Sequence, residues 1–432
     1  MQSIYIHVRG CAANAAEAES MAGLLVKEGY TLVQTPQEAD IIIQSMCTVK
    51  GEDAAKRDIN EIKDAFPDKL LILAGCIPKE FMPFINETLP NVSLCTTKNI
   101  DKIVDVVQSA IQTPPKAYTQ HQNLIKSNFP KQRKNKNVAI IQIADGCNEC
   151  CAYCSVRLMK GPLVSFSQES ILKEAQKAID EGCKILYITS QDTMNYGTDT
   201  KDNTLPSLLE ALCTLKGEYM IRVGMMNPTY VKNNVKPLIK AFKHPKVFKF
   251  LHLPVQSGSD TILKAMNRNY SINDFKAIVE EFRKAFPTIT IATDIIVGFP
   301  GETDDNFNAS IELINKYTID IVNIARFRER PNTKAVTLTP KVATNVMKER
   351  SSRLTKVFND YKLKKQETML GWQGEVIVES QGKPGTVIAY TPEYKQVIIK
   401  EDIPLGTKLN VKITKALLFY AIGEPSGTHS TS

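Results

Sequence analysis

The sequence has no run of about 18 apolar residues, the length a membrane-spanning helix needs, so no such helix is expected. Its first ten residues, MQSIYIHVRG, lead straight into a strand pattern, with no cationic segment followed by an apolar one. A cytoplasmic location is expected. Disulfides are rare there, so the ten cysteines read as metal ligands or buried thiols. Nor is there a large excess of one charge. The balance of 54 Lys+Arg against 46 Asp+Glu gives +8, a mild hint of nucleic-acid binding that counts only if other features agree. With 43% hydrophobic and 23% charged residues, the 432 residues have material for two or three domains with cores of their own.

What the chain does have is concentrated in GCNECCAYC, residues 146–154. Cys147, Cys151 and Cys154 form a C-x3-C-x2-C triplet just past an apolar strand. Three thiolates can hold three irons of a 4Fe–4S cluster and leave the fourth open to a ligand. The same residues also read as two abutting C-x2-C pairs, Cys147/Cys150 and Cys151/Cys154. A zinc ribbon separates its pairs by about 15–20 residues, and abutting pairs would strain a tetrahedral site. Cys150 reads as a packed or spare thiol. The triplet resembles that of the radical S-adenosylmethionine (SAM) superfamily. There SAM chelates the open iron and is split reductively to a 5′-deoxyadenosyl radical.

Residues 1–112 alternate strand patterns (3–8, 39–46, 69–75) with helical ones (15–28, 51–65, 99–112), which predicts an α/β domain with a parallel sheet. Cys11, Cys47 and Cys76 each follow the end of a strand, along the edge where open α/β sheets bind ligands. They read as a second three-cysteine site, or singly as small buried residues. Residues 113–137 are polar, contain three prolines and end in a basic cluster from Lys131 to Lys136; they read as a linker whose cluster either meets phosphate or is a solvated tether. Six βα units then predict a TIM-like barrel over 138–370. Residues 371–423 carry only short strands and turns, which predicts a small five-stranded all-β barrel of a kind often used for RNA. Tyr390, Tyr394, Lys395 and Lys400 on it either stack on bases or are ordinary surface residues. Residues 424–432 read as a disordered tail.

The barrel's chemistry is expected at the C-terminal ends of its strands. There Ser190, Gln191 and Asp192 can hold the amino and carboxylate groups of SAM, and Arg222 can reach a carboxylate or phosphate. Gln256 and Ser257 end the fourth strand. Asp294 to Glu302 end the fifth, with the Gly298-Phe299-Pro300-Gly301 turn letting backbone approach a flat ligand such as adenine. Taken singly, each is more often a local hydrogen-bonding residue or plain turn; their recurrence at successive strand ends favours the functional reading.

Together these segments resemble the methylthiotransferases of the radical SAM superfamily over nearly the whole chain. The likeness is carried by GCAANAAEAE with Cys11 and Asn14, MCTVK with Cys47, AGC with Cys76, GCNECCAYC, HLPVQSGSD, AMNRNY and DIIVGFPGET. The terminal barrel is similar to a TRAM domain. TSQDTMNYGTD, RVGMMNPTY, ITIATDIIVGFPGET and YTPEYKQVIIK look most like the archaeal and eukaryotic branch. That branch acts on threonylcarbamoyladenosine in the anticodon loop of tRNA, at adenosine 37. The resemblance implies a second 4Fe–4S cluster on Cys11, Cys47 and Cys76 whose open iron carries the sulfur, and one SAM that methylates it. A second SAM, on the Cys147/Cys151/Cys154 cluster, gives the radical that takes hydrogen from C2 of the adenine. It also implies tRNA and an electron donor protein as partners. Isopentenyladenosine in tRNA, or an aspartate of a ribosomal protein, would use the same chemistry. A zinc-stabilised RNA-binding protein without catalysis is the alternative outside enzymes. Three positions depart from the family: Ser45 stands for an Asn, Asn332 for a Gly after Arg330-Pro331, and Cys150 for a non-cysteine residue.

Overall fold

The computed structural model describes residues 2–47, 52–112, 116–120, 122 and 124–426. The first domain is a parallel sheet of six strands in the order β2-β1-β3-β4-β5-β6. The strands are β1 (Ser3–Val8), β2 (Thr31–Leu32), β3 (Ile41–Cys47), β4 (Leu70–Cys76), β5 (Ser93–Thr96) and β6 (Ala117–Tyr118). The helices are α1 (Ala12–Lys27), α2 (Glu52–Ala65), α3 (Met82–Thr88) and α4 (Ile103–Gln112). β1, β3 and β4 match the three patterns read in the sequence; β2, β5 and β6 have two to four residues, too few to show a period. All seven residues of β3 are buried, as parallel strands covered on both faces should be. Gly51, where the second helical pattern begins, lies outside the described residues, as do Thr48, Val49 and Lys50.

α1 packs on β1 and β3 on one side and on the second domain's first strand on the other. Eleven of its 16 residues are buried, so it has no wide solvent face. That explains its run of alanines: small side chains let a helix be approached from every direction. A Cβ on Gly23 would run into the carbonyl of Pro130.

The second domain winds β7 (Val138–Gln142), β8 (Ala144–Asp145), α5 (Val156–Lys160), β9 (Val164–Ser165), α6 (Gln168–Asp180), β10 (Ile185–Thr189), α7 (Leu205–Cys213) and β11 (Met220–Val223). It continues through α8 (Pro228–Val231), α9 (Val235–Phe242), β12 (Phe250–His252), α10 (Asp260–Ala265), α11 (Ile272–Ala285), β13 (Thr290–Val297), α12 (Asp304–Lys316), β14 (Ile321–Arg326) and α13 (Thr344–Glu367). β7-β10-β11 and β12-β13-β14 are parallel sheets joined by the bridge between Ile221 and Val247. Each βα unit thus moves one place around, giving a six-stranded partial barrel whose outer strands β7 and β14 do not pair among the described residues. Ser167, Thr204, Ser271 and Thr303 each accept a backbone N–H as N-caps of α6, α7, α11 and α12.

The third domain is a closed barrel, β15-β16-β17-β19-β18. Its strands are β15 (Gln373–Gln381), β16 (Val387–Tyr390), β17 (Gln396–Ile399), β18 (Lys408–Ala416) and β19 (Ala421–Pro425). It seats on the N-terminal end of the larger barrel. Asn137, just before β7, donates to Val378 O at 2.9 Å, and Lys249 N, just before β12, donates to Pro392 O at 2.8 Å. Thr288, before β13, meets Glu393. The expected tail boundary is corrected here: β19 continues to Pro425, and Ser426 N donates to Asn410 O at 2.9 Å. Residues 427–432 lie outside the described residues.

The segment read as a linker is also packed over much of its described length. β6 extends the first sheet, and Lys126 is fully buried. Lys131 pairs with Glu174 at 2.5 Å, and Arg133 pairs with Glu181. Gln132 N donates to Glu19 O at 2.9 Å. Its polarity suggested solvent, but its charges find partners on α1 and α6, far away in sequence. Among the described residues no helix is long and apolar enough to cross a membrane.

Candidate active site

The loop carrying Cys147, Cys151 and Cys154 leaves β8 and is stitched to the barrel. Ala152 N donates to Met266 O at 2.9 Å, and Ala335 N donates to Ala152 O at 2.8 Å. Tyr153 meets Phe299 edge-on at 6.5 Å. Three donors address the sulfurs or the turn holding them: Glu149 N to Cys147 Sγ at 3.4 Å, Arg268 to Cys151 Sγ at 3.2 Å, and Cys154 N to Cys151 O at 3.1 Å. Burial pushes the Cys147 thiol up to about 12 and that of Cys154 up as well. Such thiols stay protonated until a metal displaces the proton. Cys150 is exposed and accepts from Arg157 at 2.9 Å, so it is neither packed nor part of the triplet. Among the described residues no three Cys, His, Asp or Glu side chains converge on one ion. A cubane takes one thiolate on each of three separate irons, so the donor set suits a cluster better than a single zinc.

Ser190, Gln191 and Asp192 follow β10 at the same mouth. Asp192 is buried; its Oδ1 accepts from Met194 N at 3.1 Å and Asn227 N at 3.0 Å. Burial raises its pKa to about 6, against the pull of those N–H groups and Arg268. Its Oδ2, the Ser190 hydroxyl and the Gln191 side-chain amide oxygen Oε1 are buried without partners. Orphaned acceptors at one strand end fit the amino group of a ligand such as SAM. Gln256 and Ser257 are buried too. Gln256 holds φ 70°, a left-handed conformation, pinned by N–H donation to Asp294 O at 2.8 Å. The Asp294 carboxylate is shared by His252 at 3.2 Å and Asn323 at 2.7 Å.

Two expected ligand contacts are corrected. Arg222 does not reach the mouth: its guanidinium lies 4.8 Å from the Phe250 ring, 5.0 Å from Tyr187 and 5.1 Å from Tyr394. Tyr394 and Tyr390, stacked at 4.2 Å, are thereby taken up in the seam between the two barrels. They are not a platform for bases. Glu302 is likewise consumed internally. Its Oε2 accepts from Gly298 N at 2.7 Å and Arg350 at 2.8 Å. Gly298 has φ 78°, and a Cβ there would run into Met347 of α13. The turn is therefore clamped between its own carboxylate and the last helix. Phe299, on its crest, is fully buried beside Tyr153 and Phe327.

The second triplet is assembled by the first sheet. β3 and β4 pair with Cys47 opposite Cys76, and Cys11 is the N-cap of α1. Asn14 ties them together: its Oδ1 accepts from Cys11 Sγ at 3.1 Å, and its Nδ2 donates to Met46 O at 3.2 Å and lies 3.8 Å from Cys76 Sγ. A hydrogen bond from Cys47 lowers the Cys11 thiol to about 6 and lowers that of Cys76, while Cys47 is raised. Cys47 is thus the thiol that keeps its proton and donates it toward the two neighbouring sulfurs. The Ser45 hydroxyl, where the family has an amide, is buried and unpartnered. Asn332 adopts φ 61°, and its side chain meets Glu80 of the first domain.

Sequence reasoning missed the group between the triplets. Glu17 of α1, Asp145 just before Gly146, and Lys98, Lys126 and Lys160 are buried together. Only the position of Asp145 beside the motif hinted at it. A cleft of about 900 Å³ opens where the domains meet. Gly75 and Ile77, flanking Cys76, and Tyr153 and Ser155, flanking Cys154, line it together with Arg326, Arg328 and Arg330.

Three family profiles match the chain: the radical SAM superfamily over residues 141–314, the uncharacterized protein family UPF0004 over 3–96, and the TRAM domain over 367–425. A probable threonylcarbamoyladenosine tRNA methylthiotransferase of Pyrococcus abyssi is 37% identical over 432 residues, covering 98% of this chain and 99% of that one. The threonylcarbamoyladenosine tRNA methylthiotransferases of Drosophila melanogaster and Homo sapiens are 34% and 33% identical, over 98% of this chain and 77% and 74% of theirs. Among solved structures, the radical SAM methyltransferase TsrM from Kitasatospora setae, with cobalamin and a [4Fe-4S] cluster bound, superposes with a TM-score of 0.54. It is 11% identical and covers 77% of this chain and 74% of that one, which speaks for the fold alone.

Proposed function

The chain belongs to the threonylcarbamoyladenosine tRNA methylthiotransferases, a radical SAM family, and from there we propose that it adds a methylthio group to C2 of N6-threonylcarbamoyladenosine at position 37 of tRNA. The observation that carries this reading is one cleft lined both by residues flanking Cys76 in the first domain and by residues flanking Cys154 in the second. Cys147, Cys151 and Cys154 would hold a 4Fe–4S cluster, and Cys11, Cys47 and Cys76 a second one. With SAM bound, these groups supply the radical that an inert aromatic C–H bond requires and the sulfur that replaces it.

The chain's own residues bind, orient and shield. Asp192 keeps one oxygen on backbone N–H groups and offers the other, with Ser190 and Gln191, to the amino group of SAM. Gln256 and Ser257 complete that mouth from β12. Phe299 and Tyr153 keep water from the triplet. Asn14 holds Cys11 and Cys76 at one spacing. The cleft admits a base presented on a loop, and its arginines face a phosphate backbone. An electron donor protein and tRNA, both in the cytoplasm, are the partners.

The test is iron and sulfide content after anaerobic reconstitution, followed by mass spectrometry of nucleosides from tRNA treated with protein, SAM and reductant. About eight irons per chain and methylthiolated threonylcarbamoyladenosine are expected. Cys47→Ala should retain SAM cleavage and make no methylthiolated product. Full product from Cys47→Ala, or methylthiolation of isopentenyladenosine instead, would refute the reading.

A further inference from the structure

Glu17, Asp145, Lys98, Lys126 and Lys160 bring together three ammonium groups and two carboxylates. All are at most 5% exposed. Lys126 Nζ lies 2.6 Å from Glu17 Oε1 and 2.8 Å from Asp145 Oδ2. Lys160 Nζ lies 2.8 Å from Glu17 Oε1 and 3.1 Å from Asp145 Oδ1, and Lys98 Nζ lies 3.2 Å from Asp145 Oδ2. The Thr97 hydroxyl sits 3.0 Å from both Lys126 Nζ and Lys160 Nζ and donates to Glu17 at 2.6 Å. The five charges leave one ammonium unmatched, and an unmatched buried cation is costly. Burial accordingly lowers the Lys98 pKa, and an anion beside the set would offset that cost.

The N-terminal triplet is in place to do so. Glu17 stands one turn beyond Asn14 on α1, roughly 4.5 Å along the axis. Asn14 Nδ2 is in turn 3.8 Å from Cys76 Sγ. Burial works against the Lys160 ammonium, but Asp145, Glu17 and the Cys76 sulfur outweigh it and hold it charged. A 4Fe–4S cluster on three thiolates carries net negative charge, and more of it once reduced. A fixed cation nearby favours the reduced form.

We propose that this network is the built-in counter-charge of the Cys11, Cys47 and Cys76 site, with Lys160 as the positioning residue that raises the reduction potential of a 4Fe–4S cluster held there. The proposal rests on the two-cluster reading of that site. Lys160 belongs to the helix that follows Cys154, so the domain bearing one triplet sets the electrostatics of the other.

The experiment uses the full chain with Cys147, Cys151 and Cys154 replaced by Ala, so that one cluster signal remains, in a redox titration followed by electron paramagnetic resonance. Lys160→Met removes a positive charge and should make reduction about tenfold harder, a fall of roughly 59 mV for one electron. Glu17→Gln removes a negative charge and should move the potential upward by a similar amount. Opposite signs are the signature, since loosened packing has no reason to produce them. Shifts of one sign, or none, overturn the proposal. If Lys160→Met gives no soluble protein, Glu17→Gln decides alone: a rise supports the proposal, and no change or a fall overturns it. Failure of the parent variant to take up iron overturns this proposal together with the two-cluster reading. Normal uptake with unmoved potentials overturns this one alone.

Discussion

Breaking the Glu302–Arg350 clamp separates two roles for a carboxylate at the cluster's mouth. Glu302 Oε2 sits between Gly298 N–H at 2.7 Å and Arg350 at 2.8 Å, with Glu302 1% and Arg350 5% exposed. Burial raises the Glu302 pKa despite the opposing help of Gly298 and Arg350, so the pair does not fully repay its own desolvation. Removing Glu302 leaves the Gly298 N–H without its acceptor and Arg350 with only Asp304, which is 78% exposed, as a charged partner, at a cost of about 3 kcal/mol. Glu302→Leu should therefore lower the melting temperature by on the order of 10 °C. Glu302→Leu with Arg350→Met removes both charges and should return to within about 1 kcal/mol of the parent, because matched apolar replacement of a buried pair is often neutral. Differential scanning calorimetry of the parent, both single variants and the double variant closes the cycle. A cofactor ligand would behave otherwise. Unchanged stability in Glu302→Leu with a large loss of SAM affinity, unrescued by Arg350→Met, would refute the clamp.

Glu19 offers a pH test: burial, opposed by Lys131 and Arg133, raises its pKa from 4.5 to about 7. Because the folded value lies above the unfolded one, the folded state binds the extra proton between those values, and stability falls as pH rises through that window. Glu19→Gln should gain about 2 kcal/mol at pH 8 and little at pH 4.5, read by urea unfolding; equal gains at both would contradict it. Tyr394→Ala should unseat the small barrel, since that ring packs on Phe248, Phe250 and Tyr390 and under Arg222. Limited proteolysis between α13 and β15 should speed up. A loss of RNA affinity with an unchanged cleavage pattern would mean instead that the ring meets bases.

Much of the architecture was legible because its signals are local. The barrel strands are apolar runs of ordinary length, and the cysteine triplet is compact in sequence. What escaped depends on partners far along the chain. Lys126 lies in the segment read as a linker, where nothing near it is acidic; its carboxylates, Glu17 and Asp145, come from two other elements. Arg222 lies on β11 and Glu302 follows β13 as read, yet one is drawn into the seam with the small barrel and the other folds back on its own turn. Sequence pattern specifies which strand a residue sits on or follows. It does not specify what the side chain touches. Tyr390 and Tyr394 show the converse: aromatic and basic composition resembled an RNA face, but the rings serve the seam between barrels.

The seating of the small barrel has a consequence of scale. It covers the end where the strands begin, through Asn137, Lys249 and Thr288, whereas the cysteines lie where the strands finish. At about 3.3 Å per residue, strands of five to eight residues put roughly 17–26 Å between the two ends. An RNA that grips the small barrel while presenting a base to the cleft must span that height, as a folded stem can and a short oligonucleotide cannot. Grip and reaction are then governed by separate stretches of one polymer, so shortening the RNA should weaken capture long before it slows turnover of what is captured.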